Sequence, residues 1–159
     1  KGQDALVREN FTSVTHLIRG CVPLMGERGG SIVNVTSVEA HRAGPGFGIY
    51  SAMKAAVENL TKTLALELAD RRIRVNCVAP DMIPTPGDEG LAEASAAMSE
   101  RSWSAQPWPI EATADDCAAA IVFLAGDLAR FVTGSTVHVD GGTFAAGGWK
   151  QRPDQTWVL

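Results

Sequence analysis

A parallel α/β sheet with helices on both faces, of the doubly wound Rossmann type, is the fold class that this sequence predicts. Three observations carry that expectation. Helix-like and strand-like segments alternate along the 159 residues, in the order helix, strand, helix, strand, helix, strand. The run Ser31-Ile32-Val33-Asn34-Val35-Thr36 is short, β-branched and largely apolar, as suits a strand covered on both faces. Ser37, Pro80 and Asp140 each fall just after a strand, on the edge where right-handed crossovers gather all the carboxyl ends and where such sheets bind ligands.

The elements follow in order. Phe11, Val14, Leu17, Ile18, Cys21, Val22 and Met25 recur at three- and four-residue steps, which predicts a helix over residues 4–25. Pro23 is placed to kink its last turn, and Gly26, Gly29 and Gly30 stop it. After the first strand a glycine-rich loop, residues 44–48, leads into a helix over residues 50–69. A strand over residues 73–79 and a polar, proline-containing segment over 81–109 come next. A helix spans 114–125, with Thr113 and Asp116 forming a weak capping box. The last strand, 135–139, runs into Asp140-Gly141-Gly142, which reads as a structural turn. The tail, residues 149–159, carries no clear motif and is long enough to reach a neighbouring subunit.

Composition narrows the function. The chain is 45% hydrophobic and 20% charged, which is ordinary for a soluble domain. A net charge of −4 argues against a nucleic-acid surface. No apolar run is long enough to span a membrane, and the first residues lack the apolar region of a signal peptide. Cys21, Cys77 and Cys117 are far apart, odd in number and set among apolar residues, so buried thiols in a reducing cytoplasm are the expectation. His16, His41 and His138 have no metal-ligand spacing, so no metal is expected.

Tyr50 is the sole tyrosine, and Lys54 follows it four residues later on one helix face. A phenol ordinarily titrates near pH 10, and a nearby ammonium stabilises the phenolate, so the pair makes a tunable acid or base. Ser37 lies thirteen residues earlier, where its hydroxyl could hold a substrate oxygen beside Tyr50. The pair alone is weak, because a helix tyrosine is more often core and a lysine more often solvated surface.

The weight comes from several motifs in order. Residues 32–37, then Tyr50-Ser51-Ala52-Met53-Lys54, then Ile73-Arg74-Val75-Asn76-Cys77-Val78-Ala79-Pro80, then Thr133-Gly134-Ser135 and Val139-Asp140-Gly141-Gly142, together resemble the short-chain dehydrogenases/reductases. The resemblance runs to about residue 145. It implies a hydride transfer between NAD or NADP and an alcohol or ketone. Tyr50 would be the acid/base, Lys54 the residue that lowers its pKa and holds the nicotinamide ribose, and Ser37 the group that polarises the carbonyl. Asn10 matches the family's helix asparagine, which holds a water linking the lysine to solvent. Pro80, Ile83 and Thr85 match the segment that contacts the nicotinamide carboxamide, and residues 81–109 match a substrate lid.

Two departures stand out. The family's glycine-rich turn and the residue that separates NAD from NADP have no counterpart here. The sequence therefore reads as one partial domain, the carboxyl-terminal part of a larger one, with about 100 residues preceding it in the family pattern. Asp81 also replaces the usual glycine, adding a carboxylate within the cofactor-binding set.

Trp103 and Trp108 in the lid suggest a bulky or apolar substrate, or a lid packed on the body. The small and apolar residues of the second helix, from Ala52 to Ala69, make its apolar face wider than one sheet contact needs. With the family's habit of pairing this helix, that predicts a homodimer or homotetramer. A 3-oxoacyl reductase and a steroid-type dehydrogenase are the leading enzyme variants. The rival is a cofactor-free dimerisation or interaction module.

Overall fold

The computed structural model describes residues 2–84 and 106–159. The first helical rod has three pitches where the sequence predicts one α-helix. α1 (Gln3–Val7) passes into a π-helical turn (Arg8–Thr12), then α2 (Ser13–Cys21), then a 3-10 turn (Val22–Leu24). Apolar spacing selects the buried face but does not report a widened turn. What marks it are side-chain donors that bond back to the helix carbonyls. Asn10 Nδ2 donates to Leu6 O at 3.0 Å and Ser13 Oγ to Glu9 O at 2.7 Å. Pro23 sits inside the 3-10 turn rather than kinking an α-helix. Gly29 then turns the chain at φ 75°, where a Cβ would run into the Arg72 carbonyl.

The remaining main elements are β1 (Gly30–Val35), α3 (Gly48–Glu67), β2 (Ile73–Pro80), α4 (Ala114–Ala125) and β3 (Thr136–Val139). Their ends lie within one or two residues of the expected ones. α3 starts earlier, at Gly48, and stops at Glu67, because the chain tightens into a 3-10 turn (Ala69–Arg71) and reverses at Arg72, φ 58°. At α4 the Thr113 hydroxyl and backbone N–H both donate to Asp116 Oδ2 at 2.8 Å, so the carboxylate is the cap.

The three strands form one parallel sheet in the order β1-β2-β3. β2 is central, and Val75, Asn76, Cys77, Val78 and Ala79 are 0% exposed. Alternate residues face opposite helices, which makes the sheet doubly wound. Ile73 and Val75 pack with Ala65 and Leu64 of α3 and with Leu68 just past its end. Val78 packs with Leu124, Ile121 and Ala120 of α4 on the other face.

Each helix is pinned by polar groups inside these faces. The Thr61 hydroxyl of α3 accepts from Asn34 Nδ2 of β1 at 2.8 Å and from Cys77 Sγ of β2 at 3.1 Å. On the α4 side, Arg74 donates to Leu124 O at 2.7 Å and Gly126 O at 3.1 Å, capping the helix carboxyl end with a cation. Asn76 donates to Val132 O at 2.9 Å and accepts from Ser135 N at 3.0 Å, fixing the link into β3.

After β3, Asp140 closes its turn by accepting from Gly142 N at 2.9 Å and Phe144 N at 2.8 Å, and α5 (Thr143–Ala146) follows. The tail forms a small antiparallel hairpin of β4 (Lys150–Gln151) and β5 (Trp157–Val158). Asp154 turns it by accepting from Thr156 N and Oγ1.

Thr61→Val keeps the shape but leaves the Asn34 amide without its acceptor. The expected cost is about 1–3 kcal/mol, each kcal/mol lowering Tm by about 2–4 °C. Thr61→Ser, measured beside it by thermal unfolding, retains most of the stability.

Candidate active site

A cleft of ≈ 410 Å³ opens at the carboxyl edge of the sheet. Val35, Ser37, Tyr50, Pro80, Asp81, Met82 and Ile83 line it from β1, α3 and β2, and Cys117 and Ile121 line it from α4. Five of the sequence-predicted site residues thus share one wall. Lys54 reaches the lining residues Tyr50 and Val35, and Asn10 is on the helical rod. Thr85 and Trp103 lie outside the described residues, as does most of the segment expected to form a lid.

Ser37 sits just past β1 in extended backbone and is 7% exposed. It caps the 3-10 turn Val38–Ala40, its Oγ accepting from Glu39 N at 3.2 Å. That bond uses a lone pair, so the hydroxyl proton stays available. Tyr50 stands in the first turn of α3, with Phe47 edge-on to its ring at 6.3 Å. The Lys54 ammonium lies 5.5 Å from the Tyr50 ring centroid and donates to Val35 O at 3.1 Å. Burial pulls the Lys54 pKa below the ordinary lysine value. An ammonium has three N–H groups, so Lys54 has the donor chemistry to hold ribose hydroxyls beside Tyr50. Asn10 Nδ2 donates to Leu6 O at 3.0 Å, and no direct Asn10–Lys54 bond is seen among the described residues. Its π-helical turn nevertheless packs against α3.

Asp81 follows β2 directly. Its N–H donates to Val139 O at 3.2 Å, and its carboxyl is 8% exposed. Arg42 Nη2 is 3.7 Å from Asp81 Oδ1, but it is held closer by Glu39, whose Oε1 accepts from Arg42 Nε at 2.9 Å and Nη2 at 2.7 Å. Burial raises the Asp81 pKa. Met82, next in the chain, has φ 41° and turns the wall outward.

Sequence reading alone did not identify Glu39 and Arg42 as site residues. Their three-residue spacing was the available signal. It also missed that His41 and His138 meet, ring centroids 4.6 Å apart, with His138 stacked on Phe144 at 4.4 Å. Only the tertiary fold brings those rings together. His41 Nε2 is 3.0 Å from Glu58 Oε2, and Glu58 also holds Lys62 at 2.9 Å. Trp108 is 62% exposed, and its N–H donates to Gly141 O at 2.9 Å. It is not among the residues found lining the cleft, so it gives no support to an apolar pocket.

A family model described as enoyl-(acyl carrier protein) reductase matches residues 1–143. The chain is 42% identical over 140 residues to a 3-oxoacyl-[acyl-carrier-protein] reductase of Thermotoga maritima, covering 87% of this chain and 56% of that protein. It is 41% identical over 138 residues to human dehydrogenase/reductase SDR family member 4, covering 84% and 48%. Among solved structures, a gluconate 5-dehydrogenase of Burkholderia cenocepacia in complex with NADP and tartrate superposes with a TM-score of 0.83 at 31% identity, over 91% of this chain and 56% of that one. A 3-oxoacyl-[acyl-carrier protein] reductase of Brucella melitensis with bound NAD gives 0.77 at 33% identity, over 91% and 53%. The chain spans about half the length of the curated relatives it matches.

The folded Asp81 carboxyl holds its proton more tightly than an unfolded one. Its burial therefore costs nothing below the unfolded pKa, and the cost grows as pH rises to the folded pKa and beyond. Asp81→Asn is expected to raise Tm at pH 7 by a few degrees, on the scale of about 1 kcal/mol. The gain should shrink toward zero near pH 3.8. Thermal unfolding across that range measures it.

Proposed function

The chain belongs to the short-chain dehydrogenase/reductase family, and from that premise we propose that it forms the proton-transfer half of an NAD- or NADP-dependent oxidoreductase acting on an alcohol or ketone. One observation carries the reading. Tyr50 and Ser37 face a single cleft at the sheet's carboxyl edge, with the Lys54 ammonium 5.5 Å from the Tyr50 ring centroid.

The bound nicotinamide cofactor would supply the hydride. This chain's residues do the rest. Ser37 donates its free proton to the substrate carbonyl oxygen and orients it. Tyr50 gives its hydroxyl proton to the same oxygen as negative charge develops there, and takes it back in the oxidative direction. Lys54 stabilises the phenolate left on Tyr50 and offers N–H groups to the ribose. The widened turn at Asn10 frees helix backbone to hold a water between Lys54 and solvent, so the proton can be replaced. Pro80, Asp81 and Ile83 form the wall for the nicotinamide ring, with Thr85 assigned to the same role from the family pattern.

The free cysteines suit a reducing compartment, and the cytoplasm is the proposed location. No helix among the described residues is long and apolar enough to cross a membrane. Self-association as a homodimer or homotetramer is supported by Leu17 and Leu66, 67% and 80% exposed on α2 and α3, and by a largely apolar groove lined by Ile18, Val22, Leu60 and Leu64. The alternative, a cofactor-free interaction module, has no use for a hydroxyl, a phenol and an ammonium gathered at one cleft.

Tyr50→Phe is expected to lower kcat for ketone reduction by about 10²- to 10⁴-fold with Tm unchanged. Retained activity in a nicotinamide-oxidation assay would end the mechanism. Leu66→Glu should shift the light-scattering mass toward the monomer, and an unaltered mass would place the interface elsewhere.

A further inference from the structure

The Asp81 carboxyl is the cleft's unexplained polar group. It is nine-tenths buried in a wall shared with Ser37 and Tyr50, and its Oδ2 has no hydrogen-bond partner. Buried carboxylate oxygens are ordinarily satisfied, because leaving one bare forfeits its hydration with nothing in return.

Among the described residues, the neighbouring donors are directed elsewhere. Arg42 places two N–H groups on Glu39 Oε1 and reaches Asp81 Oδ1 only at 3.7 Å. The Thr143 hydroxyl lies close enough to the Asp81 carboxyl to favour its charged form, but its single proton is directed to Asp140 O at 2.8 Å. Gln106 Nε2 donates to the Asp81 backbone carbonyl at 3.3 Å. Glu39 and Asp140 also face Asp81 and bring only negative charge. Glu39 Oε2 is likewise unpartnered, but Gly44 is packed against it and closes it off. Asp81 is thus the bare acceptor in the cleft wall, and the partner it lacks is a donor.

We propose that Asp81 is a specificity-determining residue, accepting a hydrogen bond from a hydroxyl or ammonium group that the substrate carries beside its reacting carbonyl. The substrate class is then a hydroxy- or amino-ketone and the matching diol or amino alcohol, in place of a plain ketone or an apolar chain. A pocket that needs a donor rejects the analogue without one, since the acceptor is then left buried and unpaired. This rests on the oxidoreductase reading for the carbonyl and on Asp81 alone for the donor.

The test compares acetoin with 2-butanone, which differ by the hydroxyl next to the ketone. Reduction is followed in the full protein with NADH and NADPH. The wild type should favour acetoin in kcat/KM by roughly 10- to 100-fold. Asp81→Gly should bring that ratio close to one, and Asp81→Asn, which keeps an acceptor oxygen and the side-chain volume, should retain part of it. A wild-type preference for 2-butanone, or a ratio unmoved in both variants, overturns the proposal. Saturation-transfer NMR with 2,3-butanediol against 2-butanol gives a readout free of catalysis. Diol-selective binding that vanishes in Asp81→Gly and persists in Tyr50→Phe supports the subsite, and binding that ignores Asp81 refutes it. Should neither ketone be reduced while diol binding still requires Asp81, the hydride-transfer reading falls and the donor subsite stands.

Discussion

One oxygen atom holds this structure in register. The Thr61 hydroxyl accepts from Asn34 on β1 and from Cys77 on β2, with all three groups buried. Apolar packing alone would let α3 slide or roll on the sheet at little cost, since the hydrophobic effect is non-directional. Two directed bonds to adjacent strands remove that freedom. Tyr50 and Lys54 ride on the same helix, so their height above the strand ends follows from where Thr61 is tied. The bond from Lys54 to Val35 O adds a third tie at the other end.

The central position of β2 converts that rigidity into a site. A parallel strand paired on both sides and covered on both faces can expose only its end, and β2 ends at Pro80. Ser37 leaves β1 at the same level, and α4 closes the far side through Cys117 and Ile121. Polar groups gather there because the strand ends are where backbone and side chains regain room. Their charges are unevenly balanced. Burial raises the proton affinity of the Asp81 carboxyl in the cleft wall, and the one nearby guanidinium, held closer by Glu39, only partly offsets it.

The opposite rim has its own order. Asp140 ties the glycine turn after β3, and His41, His138 and Phe144 stack between that turn and the segment following Ser37. The loop bearing Ser37 is therefore braced from two sides, by Glu39 and Arg42 on one and by His41 on Glu58 on the other. A hydroxyl braced in this way is pre-organised, which is what orienting a substrate oxygen demands.

The sequence by itself determined the alternation of elements, the parallel sheet and the positions of Ser37, Tyr50, Pro80 and Asp81 at its edge. Those features follow from local periodicity, and the motif spacing ties them to a family. Tertiary structure alone decided the rest. The π-helical turn at Asn10 was hidden because a widened turn preserves the apolar face that periodicity reads. The Thr61 tie joins residues on three separate elements, and the approach of His41 to His138 joins distant segments, so neither leaves a local pattern. The state of Asp81 was equally out of reach. The bare Oδ2 depends on where the Arg42 and Thr143 donors are directed, which becomes visible only once the described donors around the carboxyl have been placed.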